Sequence, residues 1–148
     1  MEHHRHILAA VDFGGDSDQV IDRAAALARA MGARLSLVHV VEFLHFDLAS
    51  ELVLPQDVHL ETQMVEAATR RLAAIAADID VDGSVNHWVE LGATKQEIIR
   101  IAETQGVDLI VIGSHGRHGI GRLLGSTANA VLHGASCDVL AVRIRAPD

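Results

Sequence analysis

The sequence predicts an α/β fold, a mostly parallel sheet with helices on both faces. Two observations carry this expectation. Five short apolar runs without helical period alternate with four segments whose apolar residues recur at helical spacing. Glycine or other turn residues close most of these segments. An order β-α-β-α-β-α-β-α-β requires crossover connections, and crossovers place helices on the faces of a parallel sheet.

The elements follow in order. His6 to Val11 is a buried strand that ends in the turn residues Asp12-Phe13-Gly14-Gly15. Asp16, Ser17 and Asp18 are candidate N-caps for a helix with Val20, Ala24, Leu27, Ala28 and Met31 on one face. Gly32 stops that helix. Arg34 to Val41 is the second strand. Residues 42–57 have no clean period and read as a long connection. Leu60, Met64, Ala68, Leu72 and Ile75 form the next helix face, and 78–83 is a polar loop. Ser84 to Glu90 alternates around Val85, His87 and Val89, a strand with one wetter face. Thr94 can cap a helix carrying Ile98, Ile101 and Ala102, which Gly106 ends. Leu109 to Ile112 is the most hydrophobic run. Ser126 to His133 can form a helix, and Cys137 to Val142 the final strand.

Composition removes several classes. The formal charge is −8 and no run of Lys and Arg builds a basic face, so nucleic acid is not the expected partner. Lys95 is the only lysine, which excludes a phosphate loop that relies on its own lysine. Cys137 is the only cysteine, so no internal disulfide forms. No apolar run approaches the ~20 residues that span a bilayer, and the N-terminus lacks a secretory pattern. The expectation is a cytoplasmic protein, with no membrane partner.

In open parallel sheets ligands bind beyond the carboxyl ends of the strands. The loop after the fourth strand runs from Gly113 to Thr127 and holds a cluster of glycines. Glycine lets a ligand approach the main chain, and successive amides cradle anions. Ser126 and Thr127 then open a helix whose free N–H groups favour phosphate, with Arg117 and Arg122 available to neutralise charge. The alternative is a plain surface loop. Other glycine motifs fail. No lysine precedes Ser126, so the loop is no P-loop. Gly119-x-Gly121-x-x-x-Gly125 has the wrong spacing and position for a dinucleotide fingerprint. Gly113-Ser114-His115-Gly116 is one residue short of a nucleophile elbow.

With Val11-Asp12, Leu37-Val38-His39-Val40, Val107 to Gly113, Gly113-Ser114-His115-Gly116-Arg117, Gly125-Ser126 and Cys137 to Arg143, the chain resembles the universal stress protein family along essentially its whole length. The resemblance implies a single domain over 1–148 and a Rossmann-like, adenine-nucleotide-hydrolase-like fold. Its sheet would be open, five-stranded and parallel, in the order 3-2-1-4-5. It also implies a homodimer, and leaves dimer versus tetramer open. The last strands, here Val139, Leu140, Ala141 and Val142, would pair antiparallel and cover an exposed edge. One branch of the family binds ATP through G-x-x-G, nine residues, then G-[ST]. Here the eight residues 117–124 separate Gly116 from Gly125-Ser126, so the loop keeps its glycines and is one residue short.

Carried over by resemblance, Asp12 and Val40 border the adenine, with Ala10 and Val11 ending the strand beside it. Recognition of the base runs largely through main-chain groups. Gly113 and Gly116, with Ser114, His115 and Arg117, lie near ribose and the inner phosphates. Gly125, Ser126 and Thr127 donate to the outer phosphates. The implied cofactor is ATP, with or without Mg²⁺.

Each residue has a plainer reading. Asp12 can serve only the turn amides beside Gly14 and Gly15. Val40 is a core residue by default. His115 and His118 could act in acid–base chemistry, but no nucleophile accompanies them, and a structural hydrogen bond is the simpler role for His115. His3, His4 and His6 read as a solvated terminus rather than a metal site. Cys137 reads as a small buried hydrophobe. No catalytic or metal-ligating residue is assigned. Three functions follow in order: a nucleotide-binding regulatory dimer of the stress response with an unidentified partner protein, a dimer without nucleotide, and a slow ATPase.

Overall fold

The computed structural model describes residues 3–42, 55–114 and 124–145. Nine elements alternate: β1 His6–Ala10, α1 Ser17–Met31, β2 Arg34–Val41, α2 Pro55–Ala77, β3 Asn86–Leu91, α3 Thr94–Thr104, β4 Leu109–Gly113, α4 Ser126–Gly134 and β5 Asp138–Val142. The strands form one five-stranded sheet in the order β3-β2-β1-β4-β5, and every pairing is parallel. The expected α/β class and strand order are both present.

Alternation along β1 explains the two layers. Ile7 and Ala9 pack with Val20, Ala24 and Ala28 of α1 and Leu72 and Ala76 of α2. Leu8 faces the other way, with Ile98, Ile101 and Ala102 of α3 and Ala128 and Val131 of α4. Successive strand residues point to opposite faces, so a strand buried on both sides must be apolar throughout. This is why β1 and β4 read as unbroken apolar runs. α1 meets the sheet largely through alanines, whose small side chains let the helix lie close. Gly32 ends it with φ 64°, and its N–H bonds to the Ala28 carbonyl, as its place after the periodic residues predicts.

Some boundaries differ from the sequence reading. α2 already begins at Pro55, inside the stretch read as a connection. Proline at a first helical position loses no hydrogen bond and has φ preset. Leu60 and Met64 are exposed, only Ala68 and Leu72 of the expected stripe are buried, Ile75 is partly buried, and Ala76 joins them from outside the stripe. β1 stops at Ala10, β3 starts at Asn86 and β5 starts at Asp138. Residues 43–54 of the expected connection lie outside the described residues.

Of the N-terminal histidines expected to be solvated, His3 is exposed but His6 is not. His6 is 3% exposed. Its Nδ1–H donates to the Gln105 carbonyl at 3.2 Å and its Nε2 accepts from the Ser36 hydroxyl at 2.7 Å. Asp108 accepts from the backbone N–H groups of Arg5 and His6, while His4 contacts Asp138 at 2.8 Å. Among the described residues no group of three or more His, Cys, Asp or Glu is placed to hold a metal.

Burial, helped by the Arg34 charge, holds the His6 imidazole below its ordinary value of 6.5. Below that value the unfolded chain takes up a proton that the folded chain resists. The stabilisation is therefore complete above 6.5 and is lost as pH falls through the depressed folded value. The urea midpoint should drop between pH 7 and pH 5, and His6→Gln should flatten part of that slope. An equally steep slope in the variant would remove His6 from the account.

Candidate functional site

β1 leaves the sheet toward α1, and β4, its neighbour, toward α4 on the opposite face. The main chains diverge there, and a cleft of about 690 Å³ opens at the carboxyl ends of the strands. A strand-order switch is where open α/β sheets hold ligands, and the volume suits a small molecule.

The cleft brings Ala10, Val11, Asp12, Val40, Gly113, Gly125, Ser126 and Thr127 together around one space. Ser114 is next to Gly113 and buried, and its hydroxyl has no hydrogen-bond partner among the described residues. His115, Gly116 and Arg117, with His118 and Arg122, lie outside the described residues.

Asp12 does the work of a turn residue while standing in the cleft. Its Oδ1 accepts from the Gly14 N–H at 2.9 Å and from the Ser17 hydroxyl at 2.8 Å. Ser17 is thus drawn away from capping α1, and Asp16 takes the N-cap position without a side-chain bond. Between them Phe13 holds φ 63°, a left-handed conformation costing about 1–2 kcal/mol for a side chain of this kind. Its neighbours supply compensation. The Phe13 ring stacks on His39 with centroids 4.0 Å apart. The Arg71 guanidinium lies 4.6 Å over the same ring and donates to the Phe13 carbonyl at 3.2 Å.

β2 contributes main chain. Val11 N–H donates to Val38 O at 2.8 Å, so the polar groups of Val38 point toward β1. Directions alternate along a strand. Val41 O accepts from Gly92 N–H on the β3 side, and Val40 again points toward β1. By then β1 has ended. Among the described residues no rung joins Val40 to the chain beyond Ala10. Val40 therefore offers one donor and one acceptor, side by side, to the cleft it lines. The Val11 carbonyl is taken instead by His39 Nδ1–H at 2.6 Å. Burial holds the His39 imidazole below its ordinary value, although the bond to Val11 opposes the shift.

The other end is built by β4 and α4. A Cβ on Gly113 would come within 3.3 Å of Val20 Cγ2, so α1 and the end of β4 pack closely because nothing stands between them. Ser114 N–H donates to Val142 O at 2.8 Å, and Gly125 N–H to Ser114 O at 2.6 Å. Ser114 thereby ties together the two ends of the glycine-rich segment and the last strand. α4 then starts at Ser126 with no side-chain cap and no acidic residue in its first turn. Its free N–H groups and positive dipole end are open to an anion.

Thr94 is the first residue of α3 rather than its cap. Its N–H and hydroxyl both donate to Glu42 Oε1, at 3.0 and 2.6 Å. These bonds hold the Glu42 carboxyl below the usual carboxylate range.

Sequence reasoning missed Phe13, His39, Glu42, Thr94 and Arg71 as cleft residues. His39 carried a signal, being the polar residue in the apolar run Leu37 to Val41. Arg71 carried none. Cys137 is partly buried against the α3–α4 face, and burial raises its thiol. β5 is an edge strand. Because Val142 O accepts from Ser114 on the β4 side, alternation turns the polar groups of Val139 and Ala141 outward.

Comparison with known proteins gives consistent results. The model of the universal stress protein family matches residues 3–143. Universal stress protein A homolog 1 of Coxiella burnetii is 43% identical over 140 residues, 95% of this chain and 96% of that protein. The solved structure of MJ0577 aligns with a TM-score of 0.83 at 26% identity, over 99% of this chain and 100% of that one. For UspA from Lactobacillus plantarum the TM-score is 0.77 at 22% identity, over 98% and 100% of the two chains. No helix among the described residues is long and apolar enough to cross a membrane.

Proposed function

Because this chain belongs to the universal stress protein family, we propose that its cleft binds an adenine nucleotide, ATP with or without Mg²⁺, and that the protein works as a nucleotide-gated regulatory dimer. The observation that carries this reading is the pairing of two unlike ends in one cleft. At one end Val40 leaves a main-chain donor and acceptor free, the pair that the N1 and 6-amino edge of adenine complements. At the other, α4 presents uncapped N–H groups with Ser126 and Thr127 beside them, which suits phosphate. Gly113, Ser114, His115, Gly116 and Arg117 would run between these ends, and Asp12 would border the base. Bound nucleotide acts as a switch only through different affinities for two conformations.

Protein purified without added nucleotide and then denatured should release adenine nucleotide. The stripped protein should bind ATP with micromolar affinity by calorimetry, and Gly125→Val should lose that binding. No released nucleotide and no heat at millimolar ATP would sink the reading. The one-residue-shorter loop would then favour a dimer that works without nucleotide.

The dimer would form through Val139 to Val142. Ala141→Pro removes an outward N–H while sparing the rungs to β4, and proline is tolerated at an edge. It should convert the dimer to monomer in sedimentation. A variant that stays dimeric would move the interface elsewhere.

A further inference from the structure

The β1–β2 ladder stops one rung early. Val11 N–H bonds to Val38 O at 2.8 Å, so the Val11 carbonyl also points toward β2. The next rung of a parallel ladder would run from Val40 N–H to that carbonyl. It is not made. The His39 Nδ1–H reaches the Val11 carbonyl instead, at 2.6 Å. The imidazole is aimed there by its stack on Phe13, 4.0 Å between centroids. Arg71 in turn holds Phe13 through its ring and its carbonyl. The three side chains come from β2, the loop after β1, and α2, and all line the cleft.

We propose that His39 is a positioning residue that takes the Val11 carbonyl and so keeps the Val40 N–H free to recognise the base of the ligand. This rests on the adenine-nucleotide reading above. A side chain substitutes for a backbone donor, the strand pair is prevented from zipping onward, and a main-chain group is held open. An N–H already paired within the sheet would have to give up that bond to read a base. One left free loses only water.

The test compares His39→Phe with His39→Asn in protein stripped of nucleotide. Phenylalanine keeps a ring against Phe13 and loses the donor. Asparagine keeps an N–H at the position of Nδ1. In the wild type, amide exchange at Val40 should be fast beside that at Val38. In His39→Phe the missing rung should form, slowing Val40 exchange by about 100-fold, while ATP affinity falls by about tenfold. The melting temperature should stay level or rise, which a merely structural loss would not produce. In His39→Asn both Val40 exchange and ATP affinity should remain within about threefold of wild type. The proposal is overturned if Val40 is as protected as Val38 in the wild type. It is also overturned if His39→Phe leaves Val40 exchange or ATP affinity unchanged. If His39→Phe fails to fold, the wild-type exchange pattern and the asparagine variant still decide. Absence of ATP binding to the wild type would remove the nucleotide reading, whereas the exchange comparison on unliganded protein separately decides whether His39 withholds the rung.

Discussion

Leu72→Ala is expected to destabilise the protein by about 3 kcal/mol, from the transfer and cavity terms for a fully buried leucine. α2 has 23 residues, yet among its described side chains only Ala68, Leu72 and Ala76 are buried, and of these Leu72 alone is 0% exposed. The two alanines fill little space, so Leu72 anchors the helix to Ile7, Leu35 and Leu37 on the sheet. For a chain of this size the loss should lower the melting temperature by roughly 10 °C. The damage should reach the cleft as well, because Arg71 precedes Leu72 and Met64, Ala67 and Ala68 form the α2 wall. Leu132→Ala, at a leucine 40% exposed, should cost less than about 0.5 kcal/mol. Urea denaturation of both variants decides the matter. Equal midpoints would mean that α2 is held by something other than Leu72.

The second large effect is expected at Asp12. Asp12→Ala strands the Gly14 N–H and the Ser17 hydroxyl. Both can turn to water, so stability should fall by only about 1 kcal/mol. ATP affinity should fall by about 100-fold, because the loop carrying Phe13 then loses the bond that shapes it and the cleft loses a carboxylate beside Val40. Asp12→Asn separates the two contributions. Its side-chain oxygen can still accept from Gly14 and Ser17, so stability should return to wild type while affinity stays intermediate. If Asp12→Ala binds ATP as tightly as wild type, Asp12 is a turn residue and nothing more.

These expectations divide along what a sequence can display. β1 and β4 were legible because strand segments covered on both faces are apolar at successive positions, as Ile7 to Ala9 and Leu109 to Ile112 are, and β2 was legible from Leu35, Leu37, Val38 and Val40 despite its polar Ser36 and His39. The end of α1 was legible at Gly32, where a left-handed residue is needed. The start of α2 at Pro55 was not, because residues 42–57 lack a period and the helix exposes Leu60 and Met64. Asp12 and Val40 could be named only through the family resemblance and Ser126 also from its place after the glycine-rich loop, and all three line the cleft. The stack of Arg71, Phe13 and His39 joins residues 58 positions apart at its extremes, and no local pattern encodes it. The freedom of the Val40 N–H is harder still to read, since it depends on a bond that a neighbouring side chain prevents.

Glu42 gives the cleft a polarity. Two helices on the same face, α3 and α4, open toward it. Each is a positive pole in principle. At α3 the pole is already occupied by the chain's own anion, since Glu42 receives both the N–H and the hydroxyl of Thr94 and stays ionised. At α4 the pole is vacant of acid. A negatively charged guest entering backwards would meet a filled socket and a like charge at one end, and an empty socket at the other. Under the nucleotide reading, the Glu42 carboxylate, distant in sequence from the glycine-rich segment and joined in the cleft by Asp12, would help set which way round an asymmetric anion sits.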